Sequence, residues 1–326
     1  MDFGYGSIPS ASTNKYKLYN DIMRLVKLSL ADLKTCLGDY IIRIEGRTED
    51  VYVNNLADVA HTNDMTLDWV KQSEKEQTIA ESSMARVLLV SPSVIYTEAM
   101  LKAEKTLIVV PNPKVALAKV GNTYFVEVIH HSIHPTAVIH PDAIIGKNVN
   151  IGPHTTIGRA VIGDNTFVSA SVTLYDNVKV GSNCFIKEGA VIGGAGFGFE
   201  IDENGNRFRF PQIGGVIIGN NVEIGANTCI DRGALSDTII DDYAKLDNLC
   251  HIAHNVRIGK NAMITACSEI SGSCVLGDNV WTGPNTSVRD GRTIAENTVI
   301  GIGAVVVKNV PANDVWAGNP AKSFKK

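Results

Sequence analysis

His254 and Gly272 are the two residues of this 326-residue sequence whose types and spacing best fit a reaction. His254 stands in the run LDNLCHIAHNVRIG, two residues beyond Ile252, and Gly272 follows it in SEISGS. An imidazole titrates near neutrality, so it can take a proton from an attacking amine or hydroxyl. A backbone N–H facing it can hold the oxyanion that forms at a thioester carbonyl. Together they would make an acyl-transfer site. The competing reading of His254 is a surface imidazole that caps a turn. Asp247, Asn248 and His251 form a polar neighbourhood for it, whereas Glu269 and Asp290 read as solvated turn carboxylates. Of the eight histidines, only His251 and His254 fall in the long uninterrupted part of the sequence pattern. His130, His131, His134, His140 and His154 lie near its start and are expected on the surface.

What brings residue 254 to residue 272 is a repeat. From Ile133 an aliphatic residue returns at every sixth position, through Ile139, Ile145, Ile151 and Ile157. A second run passes from Ile162 to Ile192, a third holds Ile218, Ile224 and Ile230, and a fourth extends from Ile240 to Val306 with Thr282 as its one polar member. Neither helix nor strand alternation sustains a period of six, but a parallel β-helix does. Three hexads close a triangular coil of roughly 18 residues, and about nine coils are expected. The aliphatic residue points into the prism, and Gly, Asn and Asp at the corners tolerate a left-handed backbone. Gly272 then stacks on His254 at roughly 5 Å, and Asp290 lies roughly 10 Å from His254, too far to orient it.

The expected organisation is a leader over residues 1–24, poorly ordered; an α/β domain over 25–127; a left-handed parallel β-helix over 128–310; and a C-terminal tail over 311–326. In the first domain, Ser29 or Asp32 before Leu33 predicts a short helix, Lys71 to Ala85 a charged one, and Lys114 to Val120 a third. Val87 to Val90 and Leu107 to Val110 read as buried strands. The repeat is interrupted by residues 193–215, GGAGFGFEIDENGNRFRFPQIGG, where Asn204-Gly205 predicts a β-hairpin. Insertions of this length in a solenoid are usually functional.

Thirty basic and thirty-four acidic residues give a net charge of −4, so nucleic acid is not an expected partner. The six cysteines have no zinc-binding spacing and read as small buried residues in a reducing compartment. No apolar run is long enough to span a membrane, and the start lacks a secretory signal pattern, so a cytoplasmic location is expected. No GxSxG elbow, Walker loop or HExxH helix is present.

The stretch GGAGFGFE…FRFPQIGGVIIGNNVEIGANTCIDRGALSDTII…LDNLCHIAHNVRIGKN resembles the UDP-3-O-(3-hydroxyacyl)glucosamine N-acyltransferases of lipid A biosynthesis. A weaker likeness runs from LSLADL at residue 28 to about residue 290. The resemblance implies a homotrimer without a bound cofactor, with His254 as base and Gly272 as oxyanion donor. It places sugar and phosphate contacts near Asp247, Asn248 and His251, and puts Trp69 of TLDWVK in a uridine site of the first domain. The family's second uracil-stacking aromatic has no counterpart in QSEKEQ, and no histidine follows His254. Arg292 of SVRDGRT is the candidate phosphate contact in place of that later histidine. The family pattern makes an acyl carrier protein the donor. The ending VPANDVWAGNPAKSFKK resembles instead the closing coil of acetyl-CoA-dependent sugar acetyltransferases. Three readings follow: N-acylation of a UDP-3-O-acylglucosamine, acetylation of another nucleotide sugar from coenzyme A, and an inactive β-helix scaffold.

Overall fold

The computed structural model describes residues 26–58, 60–126 and 132–324. The expected leader and His130 and His131 lie outside the described residues. The chain divides into two compact units, residues 1–129 and 130–326.

The first unit is built on a four-stranded sheet in the order Arg43–Gly46, Thr106–Val109, Val87–Val90, Leu67–Trp69. Its two central strands are buried along their whole length, as the unbroken apolar runs VLLV and TLIV require. The helix Leu30–Leu37 starts at Ser29, whose hydroxyl accepts from the Asp32 N–H while the Asp32 carboxylate accepts from the Ser29 N–H. Both of these first-turn donors are thereby satisfied. The helix predicted from Lys114 spans Pro113–Val120 and is capped by Asn112. The one predicted over Lys71 to Ala85 is shorter and covers only Glu76–Ser82. At its start, Ser73 holds a turn by accepting from the Lys75 and Glu76 N–H groups. At its end, Ser83 leaves helical geometry and its hydroxyl donates to Asp68 at 2.7 Å.

The second unit is the expected left-handed parallel β-helix. Short strands stack into three sheets whose parallel members number nine, eight and nine, in agreement with about nine coils. The sixth-position residues form the axis: Ile151, Ile186, Ile230, Ile252 and Ile270 are fully buried, and so is Thr282. Ile133 departs from this, being 52% exposed in the first coil at the end of the stack.

The corners divide their labour in a way that composition does not reveal. Asparagines such as Asn165, Asn227, Asn261 and Asn297 take the positive φ, near 57°. Leu249 and Tyr243 do so as well, despite their bulk. The corner aspartates do not. Asp164, Asp176, Asp242 and Asp278 accept the N–H of a residue one coil away, as Asp278 does from Lys260 at 2.8 Å.

Two further expectations are corrected. Residues 311–324, expected as a C-terminal tail, add strands to the stack: Val315–Ala317 pairs in parallel with Val299–Ile300, and Lys322–Ser323 folds back antiparallel upon it. The backbone groups at the last strand edges thereby find partners. Of the cysteines, Cys184, Cys250 and Cys274 are buried, but Cys36 and Cys229 are half-buried and Cys267 is exposed. Cys267 sits at a corner with φ 60°, where its side chain faces outward. Among the described residues, no helix is long and apolar enough to cross a membrane.

Candidate active site

The column that joins His254 to Gly272 is set by strand register. His251–Ile252 pairs with Glu269–Ile270, which pairs with Ser287–Val288, so residues 254, 272 and 290 follow one another along the axis. Hydrogen bonds of 2.9 Å from the Ser273 N–H to the His254 carbonyl and from the Gly291 N–H to the Gly272 carbonyl fix the spacing. His254 is half-buried at the corner after its strand, as its place beyond Ile252 requires.

The imidazole lies against Gly272. A Cβ placed on Gly272 would stand 2.8 Å from both Nε2 and Cε1 of His254, so only glycine leaves this space open. At other corners an Asp or Asn oxygen from the next coil accepts the N–H of its column neighbour. The corresponding residue above Gly272 is Asp290, which makes no such bond, and the Gly272 N–H has no protein acceptor among the described residues. Among the described residues that N–H is a donor without a partner, beside an imidazole.

The next residue fixes which imidazole nitrogen is basic. His254 Nδ1 lies 3.1 Å from Asn255 Oδ1. The orientation of the Asn255 amide follows from its other partners. Oδ1 accepts from the Ala234 N–H at 3.0 Å, while Nδ2 donates to the Ser236 carbonyl at 3.1 Å and to the Ser236 hydroxyl at 2.9 Å. Oδ1 is therefore an acceptor, Nδ1 must carry the hydrogen, and the lone pair is on Nε2, the nitrogen facing Gly272.

A cavity of about 460 Å³ opens in front of this pair, lined also by Phe197, Asp231, His251, Glu269 and Asp290. Phe197 belongs to the insertion, in which Phe199–Ile201 and Arg207–Arg209 form the expected hairpin around Gly205 at φ 82°. Its base packs on the imidazole: a Cβ on Gly196 would lie 2.9 Å from His254 Cβ and 2.9 Å from Gln212 Oε1. Asp231 is largely buried, with its side chain 17% exposed, and its Oδ2 is 3.9 Å from His251 Nε2. Burial pushes the Asp231 carboxyl above its ordinary value, and His251 and His254 partly offset this. Glu269 accepts from the Ser271 hydroxyl at 2.9 Å.

The other expected site residues are placed elsewhere. Asp247 and Asn248 are exposed at the corner before His251 and do not line the cavity. Their oxygens serve the turn, Asn248 accepting from the Ala226 N–H and Asp247 from the Asn248 N–H, each at 2.7 Å. Arg292 is also outside the lining, its Nε donating to the Asp290 carbonyl at 3.1 Å. Trp69 stands on the edge strand of the first unit, half-buried against the core, with the Lys114 ammonium 5.9 Å from its ring centroid. Asp231, Asn255 and Gly196 were not singled out from sequence. The available signal for Asp231 was an acid directly after the interior Ile230, where glycine is the commonest follower of the aliphatic residue.

Comparison with known proteins places this geometry in context. The sequence profile "Bacterial transferase hexapeptide (six repeats)" matches residues 132–159, 159–194 and 237–272. The UDP-3-O-acylglucosamine N-acyltransferase of a Caulobacter species is 47% identical over 147 residues, 45% of this chain and 43% of the relative. That alignment thus spans under half the relative's length. The UDP-3-O-acylglucosamine N-acyltransferase of Coxiella burnetii is 32% identical over 309 residues, 89% of this chain and 87% of the relative. Among solved structures, the UDP-N-acetylglucosamine acyltransferase LpxA of Bacteroides fragilis superposes with a TM-score of 0.54 at 28% identity, over 59% of this chain and 73% of that one. LpxA of Acinetobacter baumannii gives a TM-score of 0.54 at 29% identity, with the same coverage. Because similarity to the Coxiella protein runs through both units and nearly the whole of each chain, this chain belongs to the UDP-3-O-acylglucosamine N-acyltransferase family.

Proposed function

We propose that the chain transfers an acyl group from a thioester to the amine of a UDP-3-O-acylglucosamine, a step of lipid A biosynthesis. The observation that carries this reading is His254, with its lone pair on Nε2, packed against a glycine whose N–H has no acceptor among the described residues. The amine nitrogen attacks the thioester carbonyl while Nε2 takes a proton from it. Negative charge gathers on the carbonyl oxygen and is held by the Gly272 N–H. Collapse of the tetrahedral intermediate breaks the carbon–sulfur bond, and the imidazolium returns the proton to the departing thiolate.

The donor is an acyl carrier protein, the enzyme works in the cytoplasm as a homotrimer, and Trp69 contacts the uracil. His251 supplies a polar contact to the sugar, with Arg292, Asp247 and Asn248 at the periphery. A second donor, coenzyme A, is favoured by one feature: the stretch AGNPAK, residues 317–322, resembles a coil of acetyl-CoA-dependent sugar acetyltransferases.

The test is amide formation by the purified full chain from UDP-3-O-acylglucosamine and hydroxyacyl carrier protein. His254→Ala is expected to lower kcat by at least ~10². Turnover with acetyl-CoA and none with the carrier protein would assign the donor to coenzyme A. Unchanged turnover in His254→Ala would remove the base from the scheme.

A further inference from the structure

The charge around the cavity points to the form in which the acceptor arrives. Asp231, Glu269 and Asp290 line it, and among the described residues no lysine or arginine does. The three carboxylates are not equivalent. Asp290 is 79% exposed and lies 3.8 Å from Arg289. Glu269 is bonded to Ser271. Asp231 has neither benefit: no N–H or O–H of the described residues donates to it, and the His251 Nε2 stands 3.9 Å from its Oδ2. A carboxylate this buried without a hydrogen-bond donor is costly, and the imidazoles of His251 and His254 offset that cost only in part.

Its surroundings hold that place open. Asp231 follows Ile230 on the strand Cys229–Asp231, with Gly194 as its neighbour on the preceding coil. Continuing the pairing of Cys229 with His251 places Ala253 beside it on the next coil. Neither neighbour has a side chain that reaches across it. Arg232, the adjacent cation, is spent on carbonyls, donating to Gly193 at 2.7 Å and Asp176 at 2.9 Å. The other titratable groups near Asp231 are His251, His254, the Cys229 thiol and, across the cavity, Glu269 and Asp290.

We propose that Asp231 binds the acceptor as its ammonium ion and takes the first proton from it. The inference rests on the functional reading above and adds the step that precedes attack. An amino sugar is substantially protonated near neutral pH and has no lone pair in that form. Binding to the carboxylate supplies Asp231 with the donor that no described residue gives it. Transfer of one proton to the carboxylate leaves a neutral amine, which attacks the thioester as His254 takes the second proton. Asp231 then releases its proton to water, so the sum is ammonium plus thioester giving amide, thiol and one proton. Burial, which raises the carboxyl's affinity for a proton, suits that transfer. An acceptor hydroxyl would bring no charge to such a residue.

Calorimetric titration of the full chain with UDP-glucosamine and UDP-glucose tests this without turnover. The parent should bind the amine at least ~10-fold more tightly near neutral pH, the size of one hydrogen bond to a charged group. Asp231→Asn should level the two, weakening the amine and leaving UDP-glucose unchanged, and Asp231→Glu should restore part of the preference. Equal binding of both sugars by the parent, or a parallel loss of both in Asp231→Asn, overturns the proposal. A parent that prefers the amine but forms no amide from UDP-3-O-acylglucosamine and a thioester overturns the functional reading alone. Binding of neither sugar overturns both.

Discussion

His254 and Gly272 touch across one coil of the prism, and the glycine is required by the imidazole rather than by its own backbone. A Cβ on Gly272 would come within 2.8 Å of Nε2, whereas Gly272 is absent from the positions of positive φ. The same packing sets Nε2 beside a glycine whose N–H has no acceptor among the described residues.

Gly272→Ala should therefore be a functional lesion in a sound fold. The added methyl pushes the imidazole aside, and kcat is expected to fall by at least ~10², the usual scale for a misplaced base. Thermal unfolding should show Tm within a few degrees of the parent. A Gly272→Ala enzyme with parental kcat would refute the contact's role.

Asn255→Ala removes the acceptor that holds the Nδ1 hydrogen. Part of the neutral imidazole then carries its hydrogen on Nε2, where it cannot act as a base. We expect kcat to fall about tenfold or more, with KM for both substrates little changed. The same variant should lose roughly 1–3 kcal/mol of stability, because the Ala234 N–H is left unpaired and alanine is disfavoured at φ 62°. Steady-state kinetics beside denaturant unfolding separates the two effects.

Asp231→Asn should be more stable than the parent at neutral pH. Burial raises the folded-state pKa of Asp231 above its unfolded value, so the folded form favours the protonated acid. That contribution is complete below the unfolded pKa of about 3.9 and is lost as pH rises through the folded value. At about pH 7 the ionised carboxylate thus works against folding, and the neutral amide does not. The gain in Tm should shrink as pH is lowered toward about 4. A variant less stable than the parent at every pH would contradict this.

Alkylation should single out Cys267. Burial pushes the Cys250 thiol up to about 11, and it raises Cys184 and Cys274 too, so each stays protonated and unreactive at mildly alkaline pH. Cys267 is exposed. Brief iodoacetamide treatment followed by peptide mass spectrometry should find Cys267 modified and Cys184, Cys250 and Cys274 intact. Early labelling of Cys250 would show that its coil opens readily.

The β-helix could be read because each coil repeats one packing problem, an aliphatic side chain entering a prism already filled by its column neighbours. His254 and Gly272 were legible for the same reason, since a stride of roughly 18 residues relates them directly. Asn255 was not. The Ala234 N–H that orients its amide lies 21 residues back, in a coil lengthened around GALSD, where the regular stride fails. Asp231 was hidden likewise, because its strand pairs Cys229 with His251 rather than with a residue at the regular offset. Asp247 and Asn248 are grouped with the site by nearness in sequence and by the family pattern, and they stand at the corner before His251, outside the cavity lining. The helix predicted over Lys71 to Ala85 was overdrawn because charge and amphipathic spacing do not disclose the stops that Ser73 and Ser83 impose.

The hairpin of residues 199–209 leaves the stack beside a single register shift, between Ile192 and Gly194, and beyond it Val178–Val180 still pairs in register with Val216–Ile218. The insertion therefore adds Phe197 to a cavity that the coils themselves line. A lineage can lengthen, shorten or recolour the loop that bears Phe197 while the coils beneath keep count. His254 and Gly272 themselves are held by the register of the stack.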